Sequence, residues 1–170
     1  MAPGDAALEL LARSANSPHP LMMIRPVYAP RDQDLAFEHD LCVPGGDATA
    51  LCPDGPLAGS AFHGAYSWAS WFYRSSVRDR RILTPEAAIH KLTGQPAAIM
   101  NLSHRGVVKT GAFADIVVFD PSEFGERATT WEPNQTAVGM KHVIVNGELA
   151  VHDGRLTDKR SGQVIRKQSS

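Results

Sequence analysis

The chain has 170 residues, of which 43% are hydrophobic and 21% are charged, so it can bury one core and does not have the composition of a disordered protein. Seventeen Lys and Arg against eighteen Asp and Glu give a net charge of −1, which argues against a protein that follows nucleic-acid phosphates. The sequence has no apolar run long enough to span a membrane and no secretory-signal pattern at its start, so we expect no nucleic-acid or membrane partner.

The first fifty residues alternate between helical and apolar segments. Residues 5–14 carry alanine and leucine at helical spacing and predict a short amphipathic helix. Leu21–Val27 predicts a buried strand, residues 31–39 are compatible with a helix, and Leu41–Gly46 predicts a second strand. Helix, strand, helix and strand in this order are typical of a parallel α/β unit.

The two cysteines, Cys42 and Cys52, show neither a CxxC motif nor the spacing of a zinc finger. They could form one disulfide bond or remain reduced thiols. We expect two reduced thiols, as in a cytoplasmic protein.

The middle of the chain is rich in aromatic residues. Residues 52–64 contain many glycines and prolines and predict a long loop. Residues 65–80 then predict a helix, in which one face carries Ala65, Trp68, Ala69 and Phe72. We expect this aromatic face to belong to the core, and the alternative is a platform for stacking a ligand.

A second helical region begins at Thr84. Thr84 followed by Pro85 predicts a capped helix start. The helix is expected to stop at Gly94, and Pro96 is expected to open a further short helix.

The last third of the sequence predicts β-structure. Residues 106–111 predict a strand and turn, and residues 114–119 predict a strand with an apolar centre. Residues 142–151 predict two strands joined at Asn146-Gly147, because Asn-Gly is the strongest short signal for a β-hairpin.

Asp47 is the first candidate for chemistry. It follows the apolar run at Leu41 and two glycines, which places it at the carboxyl end of a predicted strand. In α/β barrels that end of the strands carries the active site, where a carboxylate can bind a metal ion or move a proton. The alternative is an aspartate that only forms a turn or caps a helix.

His63 is the second candidate, because it lies in a glycine-rich loop where it could bind a substrate carboxylate or an oxyanion. The alternative is an ordinary surface histidine. The other histidines are dispersed, and no HxH or HExxH motif offers a self-contained zinc site.

Four stretches carry a recognisable pattern. They are CVPGGDATALCPDGPLAGSAFHGAYSWASWFYR at 42–74, LTPEA with HKLTGQPA at 83–97, RGVVKTGAFADIVVFDP at 105–121, and VIVNG followed by DG at 143–154. In this order they resemble the C-terminal third of the N-acyl-D-amino-acid deacylases, which belong to the amidohydrolase superfamily. The resemblance covers nearly the whole chain, from about Asp5 to about Arg166.

The resemblance implies an α/β fold, namely the C-terminal fragment of a metal-dependent (β/α)8 barrel with part of a small β-sandwich. Leu21–Val27 would be the seventh barrel strand and Leu41–Gly46 the eighth. Residues 1–104 would end the barrel, residues 105–155 would be the C-terminal share of the sandwich, and residues 156–170 would form a basic tail.

The resemblance also implies a reaction, the metal-assisted hydrolysis of the N-acyl amide bond of an N-acyl-D-amino acid, which is not a peptide bond. Asp47 would match the aspartate that assists the metal-bound water and passes a proton to the leaving amine. His63 would be a substrate contact, zinc would be the cofactor, and a small N-acyl amino acid would be the substrate.

The chain departs from the family pattern because it lacks the HxH and the histidines of the middle strands. It offers no complete metal site, with Asp47 as a candidate ligand, and it supplies two of the eight strands of a barrel that needs about 250 residues. We therefore expect a second chain or an N-terminal part to complete the barrel. The alternatives are a catalytically inactive remnant that acts by association and a free-standing β-rich binding module.

Overall fold

The computed structural model describes residues 1–16, 27–48, 51–52, 54–62 and 64–166. Within these ranges, helices occupy the first part of the chain and a four-stranded antiparallel sheet occupies the last part. No helix in the described ranges is both long and apolar enough to cross a membrane.

The two N-terminal helices lie where the sequence predicts them. Helix α1 spans Pro3–Ser14 and α2 spans Pro30–Glu38, and each begins with a proline in its first turn. Neither helix has a buried residue. Of the predicted strand Leu21–Val27, residues 21–26 lie outside the described residues.

The aromatic-rich segment and its neighbour form the central helical layer. Helix α3 spans Trp68–Tyr73 and runs directly into a π-helix at Arg74–Asp79, after which α4 spans Pro85–Leu92 and α5 spans Gly94–Ile99. Thr84 caps α4 as predicted, because its hydroxyl accepts a hydrogen bond from the backbone N–H of Ala87 at 3.2 Å.

The sheet contains β1 (Ile116–Phe119), β2 (Met140–Val145), β3 (Glu148–His152) and β4 (Arg155–Leu156), paired in that order. The predicted hairpin is confirmed. Asn146 and Gly147 join β2 to β3 with φ angles of 50° and 85°, the left-handed conformations that a two-residue hairpin turn of type I′ requires.

Two strand predictions are wrong. Leu41–Gly46 forms no strand, and the carbonyl of Cys42 accepts a hydrogen bond from the side chain of Lys91. Residues 106–111 contain no strand, although Thr110 and Gly111 lie in a turn as predicted. Cys42 and Cys52 are free, so the disulfide alternative is also excluded.

Aromatic side chains connect the helices to the sheet. Phe72 and Tyr73 of α3 are almost fully buried, which confirms the core role predicted for Phe72. The Tyr73 ring lies 5.3 Å from that of Phe119 on β1 and 5.6 Å from that of Phe124, while Phe37 of α2 meets Phe72 edge to face at 5.0 Å. This small aromatic cluster joins the two parts of the fold.

Candidate functional site

The segment that leads to Asp47 is fixed on α4 and α5. Lys91 is buried and its ammonium donates hydrogen bonds to the carbonyl oxygens of His39 at 2.7 Å and Cys42 at 3.2 Å. The amide of Gln95 donates to the carbonyl of Asp40. A buried ammonium needs such partners, so these contacts set the position of the chain just before the candidate residue.

Asp47 itself is solvent-exposed and lies next to the aromatic helix. The preceding residue, Gly46, packs flat on the indole of Trp68, since a methyl group at Gly46 would lie 3.3 Å from Trp68 Cγ. Asp47 follows directly after this contact, and its exposed side chain can meet solvent or a ligand.

Trp68 also borders a cavity of about 550 Å³, a volume within the range of small-molecule sites. The cavity mixes aromatic rings with hydroxyl and carboxylate groups. Its lining residues are Gly64, Ser67, Trp68, Trp71, Glu126, Ala128, Thr129 and Thr130.

The carboxylate in this lining belongs to Glu126, which is bound to Arg74. Arg74 Nε donates to Glu126 Oε2 at 2.9 Å, a second guanidinium nitrogen reaches Oε1, and Arg74 also binds Asp79. Burial raises the pKa of the Glu126 carboxyl, but the hydrogen bonds and charge of Arg74 outweigh burial and hold this pKa below its ordinary value. The hydrogen bond to Glu126 in turn raises the pKa of Arg74. The cavity is thus bordered by a carboxylate that stays ionised.

Of the two predicted site residues, the structure locates Asp47, and His63 lies outside the described residues. The neighbour Gly64 borders the cavity. Glu126 was not predicted, because it lies in the irregular segment after β1 and no motif marks it.

The family-like motifs RG, AD and VNG meet in one structural cluster. The Arg105 guanidinium binds the Asp115 carboxylate and donates to Asn146 Oδ1 at 2.7 Å. Asp115 also accepts the backbone N–H of Asn146 at 2.8 Å. These polar residues therefore join the start of β1 to the β2–β3 turn and serve the sheet rather than the reaction.

One further group of titratable side chains was not predicted from the sequence. Within the described part of the chain, His142, His152 and Asp153 alone bring three residues of the metal-ligating types close together, with one ligand atom of each inside 4.8 Å of the others. His142 and His152 are ten residues apart and match no metal motif, so only the strand register reveals their proximity.

Comparison with known proteins shows which family the sequence pattern belongs to. The model described as the amidohydrolase family matches residues 33–151. Two enzymes of Alcaligenes xylosoxydans xylosoxydans are similar to this chain, an N-acyl-D-glutamate deacylase (34% identity over 134 residues) and an N-acyl-D-aspartate deacylase (37% over 135 residues). Each alignment covers 79% of this chain and 26% of the enzyme, so the chain spans about a quarter of the length of these relatives.

Solved structures give the same relationship. A structure of D-aminoacylase, described with a binuclear metal centre, is 38% identical to the chain and superposes with a TM-score of 0.52. The superposition covers 55% of this chain and 20% of the D-aminoacylase chain. About half of this chain therefore corresponds to a limited part of a larger fold.

Proposed function

The chain belongs to the amidohydrolase family, and from this premise we propose that it supplies the C-terminal part of a metal-dependent N-acyl-D-amino-acid deacylase. The observation that carries the proposal is the family match over residues 33–151, which includes Asp47 and the residues that line the cavity at Trp68. The proposed reaction is hydrolysis of the N-acyl amide bond of a small N-acyl-D-amino acid.

The proposed domain organisation follows the division between helices and sheet. Residues 1–104 would form the C-terminal end of the barrel, residues 105–155 the C-terminal share of a β-sandwich, and residues 156–170 a basic tail. The helices between Pro3 and Ile99 and the strands that begin at Ile116 support the boundary near residue 104, while β4 continues to Leu156, one residue past the proposed end of the sandwich part. The rest of the barrel would come from an N-terminal part or a second chain.

The proposed role of Asp47 is proton transfer. Its exposed carboxylate would accept a proton from the attacking water and return it to the leaving amine nitrogen, as general acid–base catalysis requires. The contacts of Lys91 and the packing of Gly46 on Trp68 hold the chain that leads to Asp47 in place.

The proposed substrate site is the cavity beside Trp68. Its aromatic rings suit an acyl chain, and its hydroxyl groups suit the polar parts of an N-acyl amino acid. His63 would be a substrate contact, since a histidine can donate a hydrogen bond to a carboxylate.

The described residues do not by themselves form the metal centre of such an enzyme. Among them, no group of three potential ligands includes Asp47. We propose zinc as the metal of the assembled enzyme, with ligands from outside the described residues. The free thiols of Cys42 and Cys52 support assembly in a reducing compartment such as the cytoplasm.

A chimeric enzyme tests this proposal. The part of this chain that aligns over 134 residues replaces the matching region of the N-acyl-D-glutamate deacylase, and hydrolysis of N-acyl-D-glutamate is measured. We expect the chimera to be active and its Asp47→Asn variant to lose about 10² to 10⁴-fold in kcat/KM, the usual contribution of a general acid–base group.

Asp40→Asn is the matched control, because Asp40 lies in the same segment. Its hydrogen bond from Gln95 is accepted by the backbone carbonyl, which the substitution leaves in place. This variant should keep the activity of the chimera. A cooperatively folded chimera without hydrolase activity would contradict the proposal, and an active Asp47→Asn chimera would remove Asp47 from the mechanism.

A second candidate is a catalytically inactive remnant that acts by association. The observation in its favour is the accessible surface of the chain, 12603 Å², against about 8,200 Å² for a compact monomer of 18.4 kDa. This candidate predicts a folded but inactive chimera, so the same experiment separates the two.

A further inference from the structure

The β2–β3 hairpin brings two histidines and an aspartate together. His142 lies on β2, His152 ends β3, and Asp153 begins the next turn. The imidazole rings stack with centroids 5.1 Å apart, and their Nδ1 atoms are 3.3 Å apart. Asp153 Oδ1 lies 3.7 Å from His142 Nε2, and Oδ2 lies 3.6 Å from His152 Nε2.

A β-bulge creates this arrangement. Near the turn, Val145 pairs with Glu148 and Ile144 pairs with Leu149, but the register then shifts and Val143 pairs with Val151. The shifted register places His142 opposite His152. Without the extra residue His142 would face Val151, so the bulge is what aligns the two imidazoles.

From this geometry we infer that His142, His152 and Asp153 form a binding site for a divalent transition metal ion, Zn²⁺ in the first place. Two imidazoles and one carboxylate are a ligand set that Zn²⁺ accepts, with water in the remaining position. Ligand bonds of 2.0–2.2 Å in a tetrahedron put neighbouring ligand atoms about 3.4 Å apart. The distances from the two Nε2 atoms to Asp153, 3.7 Å to Oδ1 and 3.6 Å to Oδ2, are within a few tenths of an ångström of that value but involve different oxygens. One ligand atom from each of the three residues lies within 4.8 Å of the others, so side-chain rotation would have to bring the set onto one ion.

The site is accessible and its charge suits a cation. The side chain of His142 is 32% exposed, that of His152 60% and that of Asp153 75%, so an ion can enter from solvent. The neighbouring Lys141 is paired with Glu123 at 3.1 Å. Arg155 is the register partner of His152 across the β3–β4 turn, and its positive charge opposes cation binding. The affinity for the ion therefore depends on all three ligands acting together.

Calorimetric titration of the full-length, untagged chain with ZnCl₂ tests the inference. Because free thiols also bind zinc, all titrations use the Cys42→Ser/Cys52→Ser background. We expect one Zn²⁺ to bind. His142→Gln, His152→Gln and Asp153→Asn should each weaken binding at least tenfold, since even indirect partners of a metal ligand contribute 10–100-fold to affinity.

His104→Asn is the matched control. His104 is exposed and has a φ of 64°, and Asn tolerates this conformation, so the substitution removes an imidazole without disturbing the backbone. Asp153→Asn also leaves the backbone undisturbed, because Asn tolerates the φ of 47° that Asp153 has in the turn. Circular dichroism confirms that each variant keeps the wild-type secondary structure.

The absorption spectrum of bound Co²⁺ gives a second readout that is independent of calorimetry. A tetrahedral Co²⁺ spectrum in the parent chain, absent from His152→Gln and present in His104→Asn, would support the site. Absence of Zn²⁺ binding in the parent chain, binding that survives both His152→Gln and Asp153→Asn, or equal loss in His104→Asn would overturn the inference.

Discussion

At the scale of single residues, the Arg74–Glu126 pair is the main polar link between the helical layer and the segment after β1. The two residues are 52 positions apart, and only 15% of the Glu126 side chain is exposed. A buried carboxylate that loses its partner keeps its desolvation cost. Breaking this pair should therefore cost more free energy of unfolding than breaking a solvent-exposed ion pair.

We predict that Glu126→Gln lowers the free energy of unfolding by about 1.5–3 kcal/mol, the range for hydrogen bonds to charged groups. The reason is that the guanidinium of Arg74 loses the carboxylate that it binds through two nitrogens. Urea unfolding at pH 7 measures the change.

The matched control is Glu123→Gln, because the Glu123–Lys141 pair is about half exposed on both sides and should be worth less than about 1 kcal/mol. The pKa of Glu126 is lowered in the folded chain, so its contribution is complete above the unfolded pKa of about 4.3 and is lost as the pH falls through the lower folded value. The stability gap between wild type and Glu126→Gln should therefore shrink below pH 4.3. A gap that stays constant down to pH 3 would contradict the assignment.

Sequence reasoning reaches some of these residues and not others. Asp47 stands out because it follows an apolar run and two glycines. Glu126 and the His142–His152 pair have no local signal, since their partners are set by tertiary packing and by a one-residue register shift. Local pattern therefore predicts residues that end an element and misses residues that face each other across elements.

At the scale of elements, the β2–β3 hairpin has one feature that the sequence predicts and one that it does not. Asn146-Gly147 predicts the turn, and the structure confirms it. The bulge between Val143 and Ile144 was not predicted, because the alternation of side chains along the strands gives no sign of an extra residue.

The segment Leu41–Gly46 shows a different limit of sequence reasoning. Its apolar start is typical of a buried parallel strand, but a strand needs a neighbour for its backbone hydrogen bonds. Among the described residues no such neighbour is present, and Lys91 binds the carbonyls of His39 and Cys42 instead. An apolar run bounded by Pro and Gly is therefore not sufficient by itself to predict a strand.

A glycine series tests which turns hold the sheet together. We predict that Gly147→Ala destabilises the chain by about 1 kcal/mol, because Gly147 has a φ of 85° in open space. Gly139→Ala should cost clearly more, because Gly139 has a φ of 77° and an added methyl group would lie 2.4 Å from the backbone nitrogen of Phe124. Thermal unfolding followed by circular dichroism measures both.

Gly45→Ala is the control for the series, since Gly45 has no left-handed φ and nothing lies within 4 Å of an added methyl group. It should be neutral or slightly stabilising. If Gly139→Ala proves as mild as Gly45→Ala, the close approach of the chain at Phe124 is not needed for the fold.

At the scale of the whole molecule, the chain has too much surface for its mass. Its buried apolar residues in the described part are few, with Phe72, Tyr73, Ala88, Ala97 and Phe124 as the core. Large apolar side chains face solvent, among them Leu8, Leu10, Leu11, Leu35, Leu41, Val118 and Trp131. Such a surface fits a piece of a larger unit whose other parts would cover these faces.

The slope of urea unfolding tests this view, because the m-value scales with the surface exposed on unfolding. An unfolded chain of 18.4 kDa exposes about 26,700 Å², so folding buries about 14,000 Å² here instead of about 18,500 Å² for a compact domain. We predict an m-value about three quarters of that of a compact 170-residue domain. Lysozyme-sized single domains run under identical conditions give the reference slope. An m-value equal to that slope would mean that the chain buries its apolar faces by itself in solution, and the larger deacylase unit would then not be needed to explain its surface.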